Sequence, residues 1–258
     1  MGKSTETKVR YILEPSPVIN TFIITTYHDK YIERCLKTLE TTIDRDKHRI
    51  IFIEAPSLSL AESGLAKLVE PYVDIYVKTK RNYGFSASVN IGIMMSRTPY
   101  FTVVHDDVWF IHKGWWEETA VCLDDITLMV QPNQRFRREE KPIPEFPTEE
   151  EYQEMLKTAI NGSVVELYCM IFKREFVDKV GYMNESIYPI GPEDIEIFYR
   201  TGKMGYRTAM VNRAIVYHSG AGRETSKKPV RLDFPLNTFI DKEKLREDKL
   251  GPPLLKQL

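Results

Sequence analysis

The chain has 258 residues, with 36 Lys+Arg against 37 Asp+Glu and a formal charge of −1. That length can bury a substantial core in one large domain or two small ones. The charge balance argues against a dedicated nucleic-acid coat or a polybasic membrane binder, and no apolar run approaches the ~18 residues of a membrane helix. The three cysteines, Cys35, Cys122 and Cys169, are widely spaced and form no CxxC pair. A thiolate zinc site or a disulfide framework is therefore not expected, and a reducing, cytoplasmic setting is. The opening MGKSTETKVR is polar and does not have the pattern of a signal peptide.

Residues 1–17, polar with two prolines, read as an extended lead-in. Val18 to Thr26 is short, apolar and β-branched, the pattern of a buried strand. In Tyr31 to Thr42, Ile32, Cys35, Leu36 and Leu39 recur at helical spacing. Arg49 to Glu54 predicts a second strand, Ala61 to Val69 a helix, and Asp74 to Lys78 a third strand. Residues 84–96 predict a helix entered through a glycine turn. Tyr100 to Val104 predicts a fourth strand that runs into His105-Asp106-Asp107. Strand–helix alternation of this kind predicts an α/β fold with a mainly parallel sheet.

Beyond that point the texture changes. Residues 131–150, rich in Pro, Arg and Glu, predict a long exposed loop. Glu149 to Ile160 predicts a helix, Val164 to Phe172 a strand and Lys173 to Val180 a short helix. Asp194 to Thr201 predicts another helix, and Arg207 to Tyr217 a strand ending at His218. The stretch from Gly220 is basic, then proline-containing, with a charged helix expected near 241–249.

In an open α/β sheet, ligands bind beyond the carboxyl ends of the strands. Thr25, Thr26, Tyr27 and His28 follow the first strand, Glu54 ends the second, and His105, Asp106 and Asp107 end the fourth. Two adjacent carboxylates after a buried strand need solvent, a cation or a partner charge. Asp106 and Asp107 therefore read either as a turn or helix cap, or as holders of a hard divalent ion with phosphate oxygens. Glu193-Asp194 opens a helix, where acidic residues are favoured by the dipole; the pair also suits a general base. His218, at a strand end, reads as structural or as a metal ligand. Asn82-Tyr83-Gly84 leads into a helix whose N-terminus would attract phosphate, although GxGxxG is absent. Trp115-Trp116 reads as core packing or as a stacking platform for an acceptor.

Taken in order, these clusters resemble the family 2 glycosyltransferases of the GT-A fold, from about Asn20 to about Gly222. The opening strand and turn are similar to FIITTYHDKY, and the asparagine–glycine element to RNYGFSASVNIGI. The DxD element resembles VVHDDVWF, and the tryptophan that follows it resembles HKGW. The late block with an acidic pair and a histidine resembles KREFVDKVGYMNESIYPIGPEDIEIFYRTGKMGYRTAMVNRAIVYHSG.

The resemblance implies a Rossmann-like central sheet flanked by helices, with a smaller acceptor-side sheet region. It implies inverting transfer of a sugar from a nucleotide-diphosphate sugar, UDP-linked by preference, to an acceptor hydroxyl, with Mn2+ or Mg2+ as cofactor. By position, Asp107 and His218 would hold the metal, with Asp106 or His105 at the earlier DxD positions. Asp194 would be the base, with Glu193 as its fallback. Thr25, Tyr27, Glu54, Asn82, Gly84 and Asp106 would line the nucleotide site. The implied domain spans 18–222, divided into a nucleotide-binding half (18–108) and an acceptor-side half (109–222); the loop 131–150 and the tail 223–258 are candidate lids, the basic tail reading otherwise as a solvated surface. Departures are His105 at the first DxD position, His28 for the usual asparagine, and Glu54-Ala55-Pro56-Ser57 in place of an Asp-rich turn. A glycan, a lipid-linked sugar, a protein or a nucleic acid met by the basic Arg135, Arg137 and Arg138 all remain open as acceptors. Nucleotidyl transfer to a sugar phosphate, and a non-catalytic binding module, are the competing readings.

Overall fold

The parallel half of the molecule is built around β1 (Asn20–Thr26), every residue of which is buried. The structure is a computed structural model, and it describes residues 18–26, 31–55, 64–80, 82–136, 148–157, 166–186 and 193–219. The lead-in 1–17, Tyr27, His28, the loop residues 137–147 with Arg137 and Arg138, Gly191-Pro192, and the tail with its expected charged helix lie outside the described residues.

After β1 come α1 (Ile32–Thr42), β2 (His48–Glu54), α2 (Leu65–Val69), β3 (Ile75–Lys78), α3 (Phe85–Met95) and β4 (Tyr100–His105). β1 lies between β2 and β4, parallel to both, and β3 continues on the far side of β2. Strand order therefore reverses between β1 and β4, which opens a crevice at their carboxyl ends. Phe22 and Ile24 face one core with Leu36 of α1, Phe52 and Trp115. Ile23 faces the other, with Val89 and Ile93 of α3, Phe101 and Phe176. The two-residue alternation along a strand produces this division. Phe22, Ile23 and Ile24 have no exposed surface, and full burial of side chains of this size stabilises by about 1.5–3 kcal/mol each.

The second half adds β5 (Val108–Phe110), α4 (Trp115–Ala120), β6 (Thr127–Phe136), α5 (Glu149–Lys157), β7 (Cys169–Lys173), α6 (Glu175–Lys179), α7 (Glu193–Lys203) and β8 (Arg207–His218). The eight strands of the described residues form one mixed sheet in the order β3-β2-β1-β4-β7-β6-β8-β5. β7 runs antiparallel to β4 and β6, β6 runs parallel to β8, and β5 runs antiparallel to β8. β4 and β5 are adjacent in the chain, joined only by Asp106-Asp107, yet β7, β6 and β8 stand between them in the sheet. A flat sheet would separate them by about 19 Å, while three Cα steps from His105 reach about 11 Å. The sheet must therefore curl, and the curl carries the end of β8 back to the end of β4.

Three differences from expectation have physical reasons. Residues 131–136, expected in a loop, belong to β6. Pro132, which has no N–H to give a ladder, sits where the β6–β8 register shifts. Leu167 and Tyr168 are fully buried but precede β7, which begins only at Cys169. Trp115 and Trp116 are core residues, and the Trp116 indole N–H donates to Thr102 at 3.1 Å. This is the packing alternative and not an acceptor platform. No helix among the described residues is long and apolar enough to cross a membrane.

Candidate functional site

Parallel register sets the carboxyl ends of three strands in a row, with Glu54 beside Thr26 and Thr25 beside His105. The Thr26 hydroxyl donates to Asp106 Oδ2, so Asp106 closes the gap between β1 and β4. Glu54, almost wholly buried, accepts from the Tyr76 hydroxyl and is 2.8 Å from Lys78 Nζ. Its carboxylate is thereby held on the face of the sheet that Tyr76 and Lys78 share.

Asp107 points elsewhere. Its Oδ1 is 3.2 Å from His218 Nε2, and its Oδ2 accepts from Ser219 Oγ at 2.6 Å. The antiparallel pairing of Val108 with His218 produces this meeting. His105 completes the group: one ligand atom from each of His105, Asp107 and His218 lies within 4.8 Å of the others. Burial works to raise the Asp107 carboxyl, but His218, His105 and Ser219 outweigh it and hold the group well below the usual carboxylate range. Burial pushes the His105 imidazole down to about 4, partly offset by Asp107. His105 is thus a neutral ring with a lone pair to offer at physiological pH.

Two further residues had no signal in the sequence. Gln134 of β6 accepts at Oε1 from His218 Nδ1 across 2.9 Å and donates from Nε2 to Glu166 at 3.2 Å. The His218 ring stacks on Tyr168, with centroids 5.3 Å apart. Tyr168 itself is locked by Gln131 Nε2 at 2.9 Å and by the Pro132 carbonyl.

Glu193 and Asp194 open α7. Burial, with the charges of Glu193 and Glu166, pushes the Asp194 carboxyl up to about 7, against a backbone hydrogen bond from Leu167. The helix is anchored at its other end, where the buried Arg200 guanidinium donates to the carbonyls of Val180 at 2.8 Å and Tyr182 at 2.9 Å and to Glu196 at 2.9 Å. The segment it grips is fixed in turn to α3. Asn90, fully buried, donates to Met183 O at 2.9 Å and to Glu185 Oε1 at 2.8 Å, and accepts from Met183 N at 2.9 Å.

At the start of α3, Asn82 Oδ1 accepts from Gly84 N at 2.8 Å. Gly84 has φ 89°, a conformation that a side chain disfavours. Asn82 is exposed.

The family model for glycosyl transferase family 2 matches residues 21–181. The chain belongs to that family. Family 2 membership accounts for the order of the clusters from β1 to α6. Solved structures with the same fold include S. aureus TarS 1-349, with a TM-score of 0.58 and 14% identity, covering 78% of this chain and 60% of that one. A second is the mannosyltransferase PcManGT from Pyrobaculum calidifontis in complex with GDP-Man and Mn2+, with a TM-score of 0.59 and 16% identity over 82% of this chain and 61% of that one. A third is GalNAc-T7 with UDP, GalNAc and Mn2+, with a TM-score of 0.58 and 15% identity over 80% and 44%. In sequence, the chain is similar to the uncharacterized protein y4gI of Sinorhizobium fredii, 26% identical over 177 residues, which is 60% of this chain and 20% of that protein. This family 2 chain thus spans about one fifth of that relative and roughly three fifths of TarS and PcManGT. The GT-A architecture, with its curled sheet and flanking helices, is shared with all three structures.

Proposed function

We propose that the chain is a metal-dependent inverting transferase that moves a sugar from a nucleoside-diphosphate sugar to an acceptor hydroxyl. The observation that carries this reading is the cluster of His105, Asp107 and His218 at the curled end of the sheet, on the same rim as Thr25 and Asp106. The donor set fits a divalent cation. One carboxylate oxygen and two imidazole nitrogens converge, and the 3.2 Å between Asp107 and His218 is close to the ~3 Å between neighbouring corners around an ion with ~2.1 Å bonds. Two nitrogen donors favour manganese over magnesium, which takes oxygen ligands. That PcManGT and GalNAc-T7 were crystallised with Mn2+ and nucleotide or nucleotide-sugar supports the choice.

Such an ion supplies charge stabilisation to the departing diphosphate. The protein's own residues do the rest. Asp107, ionised throughout the physiological range, holds negative charge at the rim. Asp194, with its carboxyl near neutrality, accepts the proton of the acceptor hydroxyl while that oxygen attacks the anomeric carbon. The nucleoside diphosphate leaves from the opposite face, so configuration inverts. Glu193 raises the basicity of Asp194 by its charge. Thr25, Asp106, Asn82 and Gly84 are assigned to the donor side, with Glu54, whose carboxylate is engaged by Tyr76 and Lys78, behind them, and the base is a uracil by preference. The acceptor-side half begins after Val108. A cytoplasmic setting is part of the proposal.

The test is a thermal-shift panel of UDP-, GDP- and other nucleotide sugars with and without Mn2+, followed by product analysis. The reading expects a shift that requires nucleotide and Mn2+ together, and release of nucleoside diphosphate with an inverted anomeric product. Release of pyrophosphate, or no shift with any donor, overturns it.

A further inference from the structure

We infer that Gln134 and Glu166 fix the tautomer of His218, so that its Nε2 is the atom offered to the cation. The inference rests on the metal-site reading above and extends it to two residues outside the cluster.

The chain of reasoning begins at Glu166. A carboxylate has acceptors only, whereas a primary amide has one acceptor and one donor side. Glu166 Oε2 stands 3.2 Å from Gln134 Nε2, so the amide nitrogen of Gln134 must face it. The opposite amide orientation would set two acceptors against each other. Gln134 Oε1 is thereby turned to His218 Nδ1 at 2.9 Å. An oxygen there can only accept, so Nδ1 carries the proton. That leaves Nε2, 3.2 Å from Asp107 Oδ1, as the nitrogen for a cation, which would take the place of the proton that Nε2 otherwise directs at that carboxylate.

The ring plane is held independently. Tyr168 stacks against His218 with 22° between the rings, and the Tyr168 hydroxyl is engaged by Gln131 and Pro132. Rotation of the imidazole to exchange its nitrogens would break the Gln134 bond and disturb that stack. Position in the sheet makes the contact possible. Residue 136 stands opposite His218 in the β6–β8 register, and Gln134, two residues earlier, lies on the same face. Partners of this kind, one bond removed from a metal, orient the ligand and raise its basicity.

The experiment measures Mn2+ affinity by the electron paramagnetic resonance of free Mn2+, in the full chain. Wild type is compared with His218→Ala, Gln134→Leu, Glu166→Gln and the double exchange Gln134→Glu with Glu166→Gln. Nitrogen-15 NMR of the histidine rings, with zinc as a diamagnetic probe, reads the tautomer directly in the wild type. The expected result is a 10- to 100-fold loss of Mn2+ affinity in Gln134→Leu and a smaller loss in Glu166→Gln. The double exchange, which keeps the charge and restores an acceptor facing Nδ1, recovers wild-type affinity. NMR is expected to show His218 protonated at Nδ1. Loss of affinity in His218→Ala with none in Gln134→Leu, or a His218 protonated at Nε2, overturns this inference and leaves the metal site standing. Equal affinity in wild type and His218→Ala removes the metal-site reading as well.

Discussion

The hydroxyl of Thr26 donates to Oδ2 of Asp106 across the carboxyl ends of β1 and β4. This bond divides two adjacent aspartates between two tasks. Asp106 ties the strands together at the crevice, while Asp107 turns to His218 and Ser219.

Substitution should separate the two. Asp107→Asn removes the only carboxylate of the His105–Asp107–His218 group and is expected to weaken Mn2+ by more than ~100-fold, beyond the range for outer partners, with turnover lost and the far-ultraviolet circular dichroism unchanged. Asp106→Asn retains an acceptor for Thr26. It is expected to keep Mn2+ affinity near wild type and to raise the KM for donor. Equal Mn2+ loss in both variants would count against the division.

The pH dependence follows from Asp194, whose carboxyl is raised from 3.8 to about 7. As a base it works only when proton-free, so kcat/KM is expected to rise with pH and level off above about 7. Stability moves the other way. Between about pH 4 and pH 7 the folded state keeps a proton that the unfolded state has released, so this group's contribution declines as pH rises through that window. Asp194→Asn is expected to lower kcat by ~10²- to 10⁴-fold and to raise stability at pH 8 by on the order of 2 kcal/mol. Kinetics and urea titrations at pH 5 and pH 8 check both signs. An unaltered pH profile in the variant would move the base elsewhere, with Glu193 next.

Asn90 is the pin between α3 and the segment that carries α7. Asn90→Ala leaves the N–H and carbonyl of Met183 without their partner. The expected cost is ~2–4 kcal/mol, summed over two buried groups, read from the urea midpoint. Because Arg200 hangs α7 on the neighbouring carbonyls of Val180 and Tyr182, kcat is expected to fall with it.

Gly92 lets α3 lie directly on β1. A methyl group there would run into Ile23 Cγ2, and Ile23 has no exposed surface into which to move. Gly92→Ala is expected to destabilise by ~1–3 kcal/mol through overpacking, despite the better helix propensity of alanine. A melting temperature at or above wild type would show that the helix has room to shift.

The parallel half was legible because its signals are local. β1, β2 and β4 are short β-branched runs, and α1 repeats its apolar residues at 32, 35, 36 and 39. β6 was not legible. Its Gln131, Pro132, Asn133 and Gln134 have the composition of a loop, yet Gln131 and Asn133 are buried. Their side-chain amide nitrogens donate to residues far along the chain, Gln131 to Tyr168 and Asn133 to Asn212. Composition cannot show a partner supplied by another strand. The same limit applies to the site. Asp107, His218 and Asp194 carry chemistry by residue type, whereas Gln134 and Glu166 matter only through what the curled sheet sets beside them. β5, at three residues, is too short for any periodicity to mark.

β4 bonds on one edge to β1 and on the other to β7, and Phe101 stacks on Phe172 across that second edge at 4.8 Å. Segments 18–108 and 109–222 thus share a strand ladder in their middle, with no seam at which to cut. A chimera that exchanges either segment gives β4 a foreign partner across the edge where Phe101 meets Phe172, so such grafts should come out less soluble than the parent. New specificity in this scaffold has to be written into the connections around an intact framework.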